Sequence, residues 1–152
     1  LTQEEIETIQ RTWNAIGADN YTDAGETILM DFLEKHPNRQ HYFYKVKDIP
    51  LNELKGHTWL RNIMTQVMKT FKKAVDTLND MESADGKLNQ IFSPIGVSHK
   101  KMNVTKQAFQ EIRLSILEIL SIACKLSDDE KVAWDKFLNQ CFEILYSYAL
   151  DD

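Results

Sequence analysis

Apolar residues recur along most of this chain at intervals of three and four positions, the period of helices that bury one face. The first such stretch follows a capping-box sequence, Thr2 with Glu5, and stops at Gly17, a residue typical of helix C-termini. A second helix is predicted over residues 22–36, and Pro37 ends it because the residue before a proline is disfavoured in the helical conformation. The periodicity therefore predicts an all-α fold.

Three later segments carry longer apolar stripes of the same period. Helices are predicted over residues 54–78 and over residues 105 to about 125. The last helix opens on Ser127, which forms a second capping box with Glu130. The polar run of residues 79–86 predicts an exposed loop.

Residues 38–52 carry three adjacent aromatic side chains, Tyr42, Phe43 and Tyr44. Linkers seldom contain such a cluster, because exposed aromatic rings forgo the favourable free energy that burial would give. We expect a packed corner with at least one ring turned inward.

Residues 93–105 place a histidine on a predicted short helix. Ser93 followed by Pro94 is typical of an N-cap and a first-turn proline, so a helix is predicted to begin here. Ile95 and His99 are four residues apart and share a face, and Asn103 interrupts the helix before the next one. Such a histidine could be an axial ligand to a flat iron cofactor or an ordinary surface histidine, and this segment alone leaves both open.

The composition is that of a globular protein, since 43% of the 152 residues are hydrophobic and 27% are charged. The formal charge is −5 and the basic residues are scattered, which argues against a nucleic-acid partner. No run of about 18 apolar residues is present, so no membrane span is expected. Cys124 and Cys141 fall in apolar helical patterns and are predicted to be buried small hydrophobes. The chain starts at Leu1 without a signal peptide, so we expect that a targeting segment was removed or the start was trimmed.

Two spacings resemble the globin family. Pro37 followed six residues later by Phe43 resembles the globin corner, where an inward phenylalanine stacks against haem. Residues 94–99, Pro-Ile-x-x-Ser-His, resemble the globin proximal segment with its iron-binding histidine. Gly25 matches the small residue that lets two globin helices cross closely, and Trp134 in the last helix fits as well.

Residues 54–56 and 98–105 are most similar to those of invertebrate globins, insect (midge larval) haemoglobins in particular. The resemblance covers essentially the whole chain. It implies one globin domain over residues 1–152, with seven to eight helices packed around a haem pocket.

The resemblance also implies a cofactor, haem b (iron protoporphyrin IX), and residues that would hold it. His99 would bind the iron through one ring nitrogen, while the other nitrogen donates to Ser98 or to a backbone carbonyl. Phe43 would wedge the porphyrin, Leu29 would lie over the distal ligand site, and Lys45 is a plausible partner of the propionates. Further apolar haem contacts are implied at Ile95, Val104, Phe109, Ile112 and Leu138.

Two registers of the long helix compete for the distal residue. Placing His57 there puts Arg61 where the family has an apolar residue against the ligand. The alternative register makes Ile63 distal, with Val67 one turn later and Phe71 on the haem side. We prefer Ile63, which also agrees with the Lys-Gly lead-in upstream. His57 is then expected to lie near the start of the helix as a surface residue.

Ile63 cannot donate a hydrogen bond to a polarised ligand. Gln66 is the nearest candidate donor and Arg61 a distant second. The alternative is that Gln66 is solvated and that the pocket works without a donor.

The interval from Ile63 to His99 is longer than usual for globins by roughly two helical turns. We expect the extra residues to form a surface excursion within residues 79–90. The apolar residues that follow are expected to make a short turn: Leu88, Ile91 and Phe92.

The resemblance implies a reversible dioxygen carrier or store that would also take carbon monoxide and nitric oxide. A haem enzyme, such as a nitric-oxide dioxygenase or a peroxidase-like globin, is the alternative. Peroxidase chemistry needs a distal acid or base, which Ile63 does not supply, and a non-enzyme is expected. A sensor or haem-free scaffold is a third reading. A bis-histidine form is disfavoured without a distal histidine.

By the same resemblance the protein is expected in the extracellular haemolymph, as a monomer or weak homo-oligomer. No membrane or nucleic-acid partner is expected.

Overall fold

The computed structural model describes residues 1–80 and 84–151, and of residues 84 and 85 it describes the backbone alone. Six α-helices make up most of this part of the chain. They are α1 (Gln3–Ile16), α2 (Tyr21–Lys35), α3 (Thr58–Asp76), α4 (Ala84–Lys101), α5 (Lys106–Ala123) and α6 (Asp128–Tyr146). Short 3-10 helices lie at Ala18–Asn20, Pro37–Tyr42, Leu51–Glu53 and Thr77–Asn79. The all-α prediction is confirmed, and Pro37–Tyr42 supplies a seventh helix of appreciable length.

Both predicted capping boxes are confirmed. The Thr2 hydroxyl accepts from the Glu5 amide at 3.1 Å, and the Glu5 carboxylate accepts from the Thr2 amide at 2.9 Å. Ser127 and Glu130 make the same pair of bonds at 3.2 Å and 2.9 Å. Each cap stabilises its helix by about 1 kcal/mol. Gly17 ends α1 with φ +77°, a conformation that favours glycine.

α2 and α3 cross in direct contact at Gly25. A β-carbon built there would lie 2.8 Å from Met64 Cβ and 2.9 Å from the Met64 carbonyl oxygen. The close crossing predicted at Gly25 is therefore confirmed.

The core between α1 and α6 buries two tryptophans whose indole nitrogens are satisfied. Trp13 donates to the Tyr21 hydroxyl at 2.9 Å, and Trp134 donates to the Thr12 hydroxyl at 2.8 Å. A buried N–H group without a partner would destabilise the fold, so these two hydrogen bonds allow both indole rings to be buried. Nearby Cys141 is buried and Cys124 is half-buried; both are free, and burial raises the pKa of each thiol.

α4 departs from the sequence prediction. The helix was expected to begin at Ser93, but it begins at Ala84 and carries Pro94 in its interior. Leu88 and Phe92 are each 2% exposed, so the turns before the proline bury an apolar stripe. Proline leaves one carbonyl, that of Gln90, without its helical partner. Gln90 is exposed, so water can satisfy this carbonyl.

The predicted surface excursion is shorter than expected. Asn79 and Asp80 are exposed, residues 81–83 lie outside the described part, and the chain is helical again from Ala84. The extra length thus lengthens the helix that carries His99. Leu88, Ile91 and Phe92 lie in that helix and not in a short turn.

α3 begins at Thr58, four residues later than predicted. Gly56 has φ +87°, which no right-handed helix contains, so a helix could not continue from Leu54. Leu54 is nevertheless 1% exposed and belongs to the core.

The C-terminal segment packs against the corner between α4 and α5. The Leu150 amide donates to the Val104 carbonyl at 3.1 Å, and the Lys106 amide donates to the Leu150 carbonyl at 2.9 Å. The Tyr148 ring packs on Gly96, where any β-carbon would collide with it. The chain end therefore supports the helix and the corner that flank His99.

Among the described residues, none of the helices combines the length and the hydropathy that a membrane span requires.

Candidate functional site

A cavity of about 280 Å³ lies between α3, α4, α5 and the corner after α2. Aromatic and aliphatic side chains surround a single imidazole. The lining residues are Phe32, Tyr42, Phe43, Tyr44, Trp59, Ile63, His99, Met102, Val104, Ala108, Phe109 and Ile112. All three adjacent aromatic residues of the corner thus face the cavity.

The structure brings together six of the residues implied by the sequence resemblance. Phe43, Ile63, His99, Val104, Phe109 and Ile112 all line the cavity. They come from four separate segments, so only folding makes them neighbours.

Eight other implied residues are not on the cavity wall. Three are core residues between 0% and 5% exposed: Leu29, Phe71 and Leu138. Val67 and Ile95 are partly buried against the core. Gln66, Ser98 and Lys45 are exposed, and Lys45 lies near the cavity beside Trp59.

Sequence reasoning missed six lining residues, and most of them carry a local signal. Tyr42 and Tyr44 flank Phe43, and Trp59 lies one turn before Ile63. Met102 follows His99 by three positions. The others are Phe32 and Ala108. Spacing from an implied contact would have found most of them.

His99 is oriented by its own helix. Its Nδ1 lies 2.7 Å from the Ile95 carbonyl oxygen, and because a carbonyl can only accept, Nδ1 carries the proton. The Ser98 hydroxyl donates to the same carbonyl at 2.9 Å and lies 3.3 Å from Nδ1. The lone pair that could bind a metal is therefore on Nε2, and the Phe109 ring, 5.5 Å away between centroids, packs beside the imidazole.

These residues fit a metal that arrives with other ligands. Among the described residues, no group of three or more His, Cys, Asp or Glu side chains could hold a bare ion. One imidazole in an apolar cavity suits an iron already held by a flat macrocycle. The cavity wall, with four aromatic rings from Phe32 and the corner residues 42–44, suits the faces of such a ring system.

The α3 side of the cavity presents Ile63. Gln66 is exposed and off the wall. The Arg61 guanidinium donates to Asp23 and Glu26 at 2.8 Å each, and the Asp23 bond raises the pKa of Arg61. The Arg61 side chain therefore binds carboxylates of α2 and does not line the cavity.

His57 is also off the cavity wall. It is the N-cap residue of α3 and is half-buried, in contrast to the surface position expected for it. Its Nδ1 is buried without a hydrogen-bond partner among the described residues.

A largely buried ion pair holds the corner after α2 against α5. Arg39 Nε lies 2.7 Å from Glu111 Oε1, each side chain is 12% exposed, and His36 Nδ1 lies 3.3 Å from Glu111 Oε2. The Glu111 carboxylate raises the pKa of Arg39. Glu111 precedes Ile112, so the pair fixes two parts of the cavity wall relative to each other.

Comparisons with known proteins agree with this geometry. The Globin family model matches residues 26–145. A globin of Nerita albicilla is 27% identical over 147 residues, 95% of this chain and 90% of that protein. The globin CTT-VIIB-10 of Chironomus thummi thummi is 25% identical over 145 residues, 95% of this chain and 86% of that protein. The structure of a hexa-coordinate haemoglobin of Drosophila melanogaster matches with a TM-score of 0.90 and 26% identity, covering 96% of this chain and 94% of that one.

Proposed function

Because this chain belongs to the globin family, we propose that it binds haem b in the cavity beside His99 and carries or stores dioxygen reversibly. Haem, when bound, supplies an iron with an open position that takes dioxygen, carbon monoxide or nitric oxide. The observation that carries the proposal is the His99 ring, which lines the cavity and hydrogen-bonds through Nδ1 to the Ile95 carbonyl oxygen.

The residues around the cavity have distinct proposed roles. His99 is the iron ligand, and the Ile95 carbonyl holds its tautomer and orientation. Phe43, Val104, Phe109 and the other apolar lining residues would pack on the porphyrin faces and exclude water. Burial of apolar surface contributes roughly 25 cal/mol per Å², so this wall supplies much of the cofactor affinity.

Ile63 sets the character of the distal side. It offers the gas an apolar surface and no hydrogen bond, and Gln66 lies outside the cavity wall. We infer that gas binds without a donor from this side. An apolar surface also leaves water without a partner, so a stable water-bound ferric form at neutral pH is not expected.

The absence of an acid or base at Ile63 favours a carrier over a peroxidase-like enzyme. The hexa-coordination named for the haemoglobin of Drosophila melanogaster is not proposed for this chain. Because Ile63 has no donor atom and His57 is not among the residues that line the cavity, we propose that His99 would be the only protein ligand of the bound iron. An extracellular site of action in haemolymph, and a monomer or weak homo-oligomer, are the accompanying proposals.

Absorption spectra of the purified protein test the function. They are recorded in the ferric state, after reduction, and then under dioxygen and carbon monoxide. A five-coordinate reduced spectrum that converts reversibly to an oxy form is expected. A six-coordinate reduced spectrum without added gas would show that an internal residue such as His57 reaches the iron. A protein without a haem band would refute haem binding itself.

A further inference from the structure

Three side chains lie together at the α3 side of the cavity, where the corner residues meet that helix: Tyr44, Lys45 and Trp59. The Trp59 and Tyr44 rings meet nearly edge to face, at 5.3 Å between centroids and an interplanar angle of 69°. Lys45 Nζ lies 5.5 Å from the Trp59 ring centroid and 6.0 Å from that of Tyr44. We call these three residues the mouth cluster.

Trp59 continues the wall that Ile63 begins. The two residues are four positions apart on α3 and share one face, so Trp59 extends that wall by one turn, about 6 Å along the helix axis. Tyr44 lines the cavity as well, although it is 67% exposed. The mouth cluster therefore spans from the cavity wall to solvent.

The core accounts for these rings only in part, because Trp59 packs against its edge whereas Tyr44 is 67% exposed and does not belong to it. Trp13 and Trp134 are each 1% exposed and donate to protein oxygens, whereas Trp59 is half-buried and, within the described residues, its indole nitrogen makes no such bond. A large ring such as that of Tyr44, held on the protein yet mostly in water, loses the free energy that burial would bring. The position of Tyr44 is explained if the ring shields an apolar group in the cavity from water.

We propose that the mouth cluster forms a cap on the cavity and that Trp59 is a haem contact that controls how long the cofactor stays bound. This inference rests on the proposed haem binding and adds a residue that neither the sequence resemblance nor the comparisons assign. Tyr44 shields the Trp59 ring, and the Lys45 ammonium, held over that ring, keeps the cap ordered. Water must pass the cap before haem can leave.

The rate of haem transfer from the loaded protein to an excess of a high-affinity haem acceptor tests the proposal. Trp59→Leu is expected to speed haem loss about tenfold, because the ring contacts and the cation–π contact are both removed. Trp59→Phe keeps a ring and should stay within about threefold of the wild type. Leu114→Ala, at an exposed position of α5, is the control for surface changes and should have no effect.

Tyr44→Leu provides a second variant at an exposed position, where folding is not at risk. Hydroxyl-radical footprinting of the loaded protein should show increased oxidation of Trp59 in this variant but not in Tyr44→Phe. Trp13 and Trp134 serve as buried internal references. This readout reports the cap itself, independently of haem loss.

The outcomes are separable. Haem loss from Trp59→Leu at the wild-type rate, or Trp59 oxidation unchanged by Tyr44→Leu, would overturn the cap. Equal acceleration by Trp59→Leu and Trp59→Phe would also overturn it, because the ring would then not matter. A wild-type protein that takes up no haem would refute the proposed function and, with it, the cap.

Discussion

His99 shows how much of a site can depend on one side-chain orientation. The Ile95 carbonyl, one helical turn earlier, accepts from Nδ1 and thereby decides which nitrogen faces a metal. The hydrogen bond that orients the ring thus lies within one helix. The Ser98 hydroxyl donates to the same carbonyl and is a secondary neighbour of the ring.

Replacing His99 should remove the proposed iron ligand while leaving the apolar lining of the cavity in place. His99→Gly is expected to lose the five-coordinate reduced spectrum, and millimolar imidazole should restore it by filling the space of the missing ring. Absorption spectra with and without imidazole measure this. His57→Gln is the matched control and should leave the spectrum unchanged, because His57 is off the cavity wall. Spectral loss in the control would instead identify His57 as a ligand.

The distal side offers a second test at the scale of one residue. Ile63→Gln is expected to slow dioxygen dissociation about tenfold, since a hydrogen bond to a polarised ligand is worth about 1.5 kcal/mol. Gln66→Leu should change the rate little, because Gln66 is exposed and off the wall. Stopped-flow measurement of dissociation compares both with the wild type. A several-fold faster rate in Gln66→Leu would mean that Gln66 reaches the bound gas.

At the scale of elements, the crossing of α2 and α3 determines the relative positions of the lining residues that these two helices carry. α3 carries both Ile63 and Trp59, and α2 carries Phe32. The separation of these two helices is fixed by the contact of Gly25 with the backbone and side chain of Met64. A flexible side chain can move away from an added methyl group, whereas a helix backbone cannot move without shifting its whole face.

Gly25→Ala should therefore force the helices apart and lower the free energy of unfolding by about 1–3 kcal/mol. Gly86→Ala is the matched control, because Gly86 is also helical but a β-carbon there would meet nothing within 4 Å. The control should change the free energy of unfolding by less than about 1 kcal/mol, because Gly86 is the third residue of α4 and the preference for alanine is full only in a helix interior. Urea unfolding of both variants measures the difference. Equal effects would show that the crossing tolerates a methyl group.

At the scale of the whole molecule, charged side chains join the first helix to the last. Lys136 of α6 lies 2.8 Å from the Glu5 carboxylate of α1, and Arg11 of α1 pairs with Glu130 of α6. The hydrogen bond from Lys136 and that from the Thr2 amide lower the pKa of Glu5 from 4.5 to about 2. These contacts act alongside the buried tryptophans, which hold the same two helices together.

The lowered pKa makes this link sensitive to acid. A carboxylate whose pKa is lower in the folded state stabilises the fold above the unfolded pKa of 4.5, and this contribution is lost as the pH falls to about 2. Glu5→Gln should be less stable than the wild type at pH 6, and the difference should close between pH 4.5 and pH 2.

Urea unfolding at several pH values follows that difference. Glu7→Gln, which removes a carboxylate that accepts from Gln3 within the same helix, is the control. A difference between Glu5→Gln and the wild type that is constant from pH 6 to pH 2 would contradict the role of the ion pair.

Several features were determined by the sequence alone because the groups involved are close together in the chain. The capping boxes at Thr2 and Ser127 act over three residues, and Gly17 acts through its own backbone. The apolar period is likewise a local property, which is why the all-α fold could be predicted. The spacing from Ile95 to His99 is one helical turn, so the sequence already placed both on one face.

Tertiary structure decided which apolar residues form a cavity and which form solid core. Leu29 and Phe71 carry the same apolar signal as Phe109, yet they are packed in the core while Phe109 lines the cavity. Periodicity gives the buried face of a helix but not the neighbour that this face meets. That depends on the rotation and spacing of helices, which contacts such as Gly25 with Met64 impose. Trp59 became a cavity residue, and Pro94 became a helix-interior residue, only through such packing.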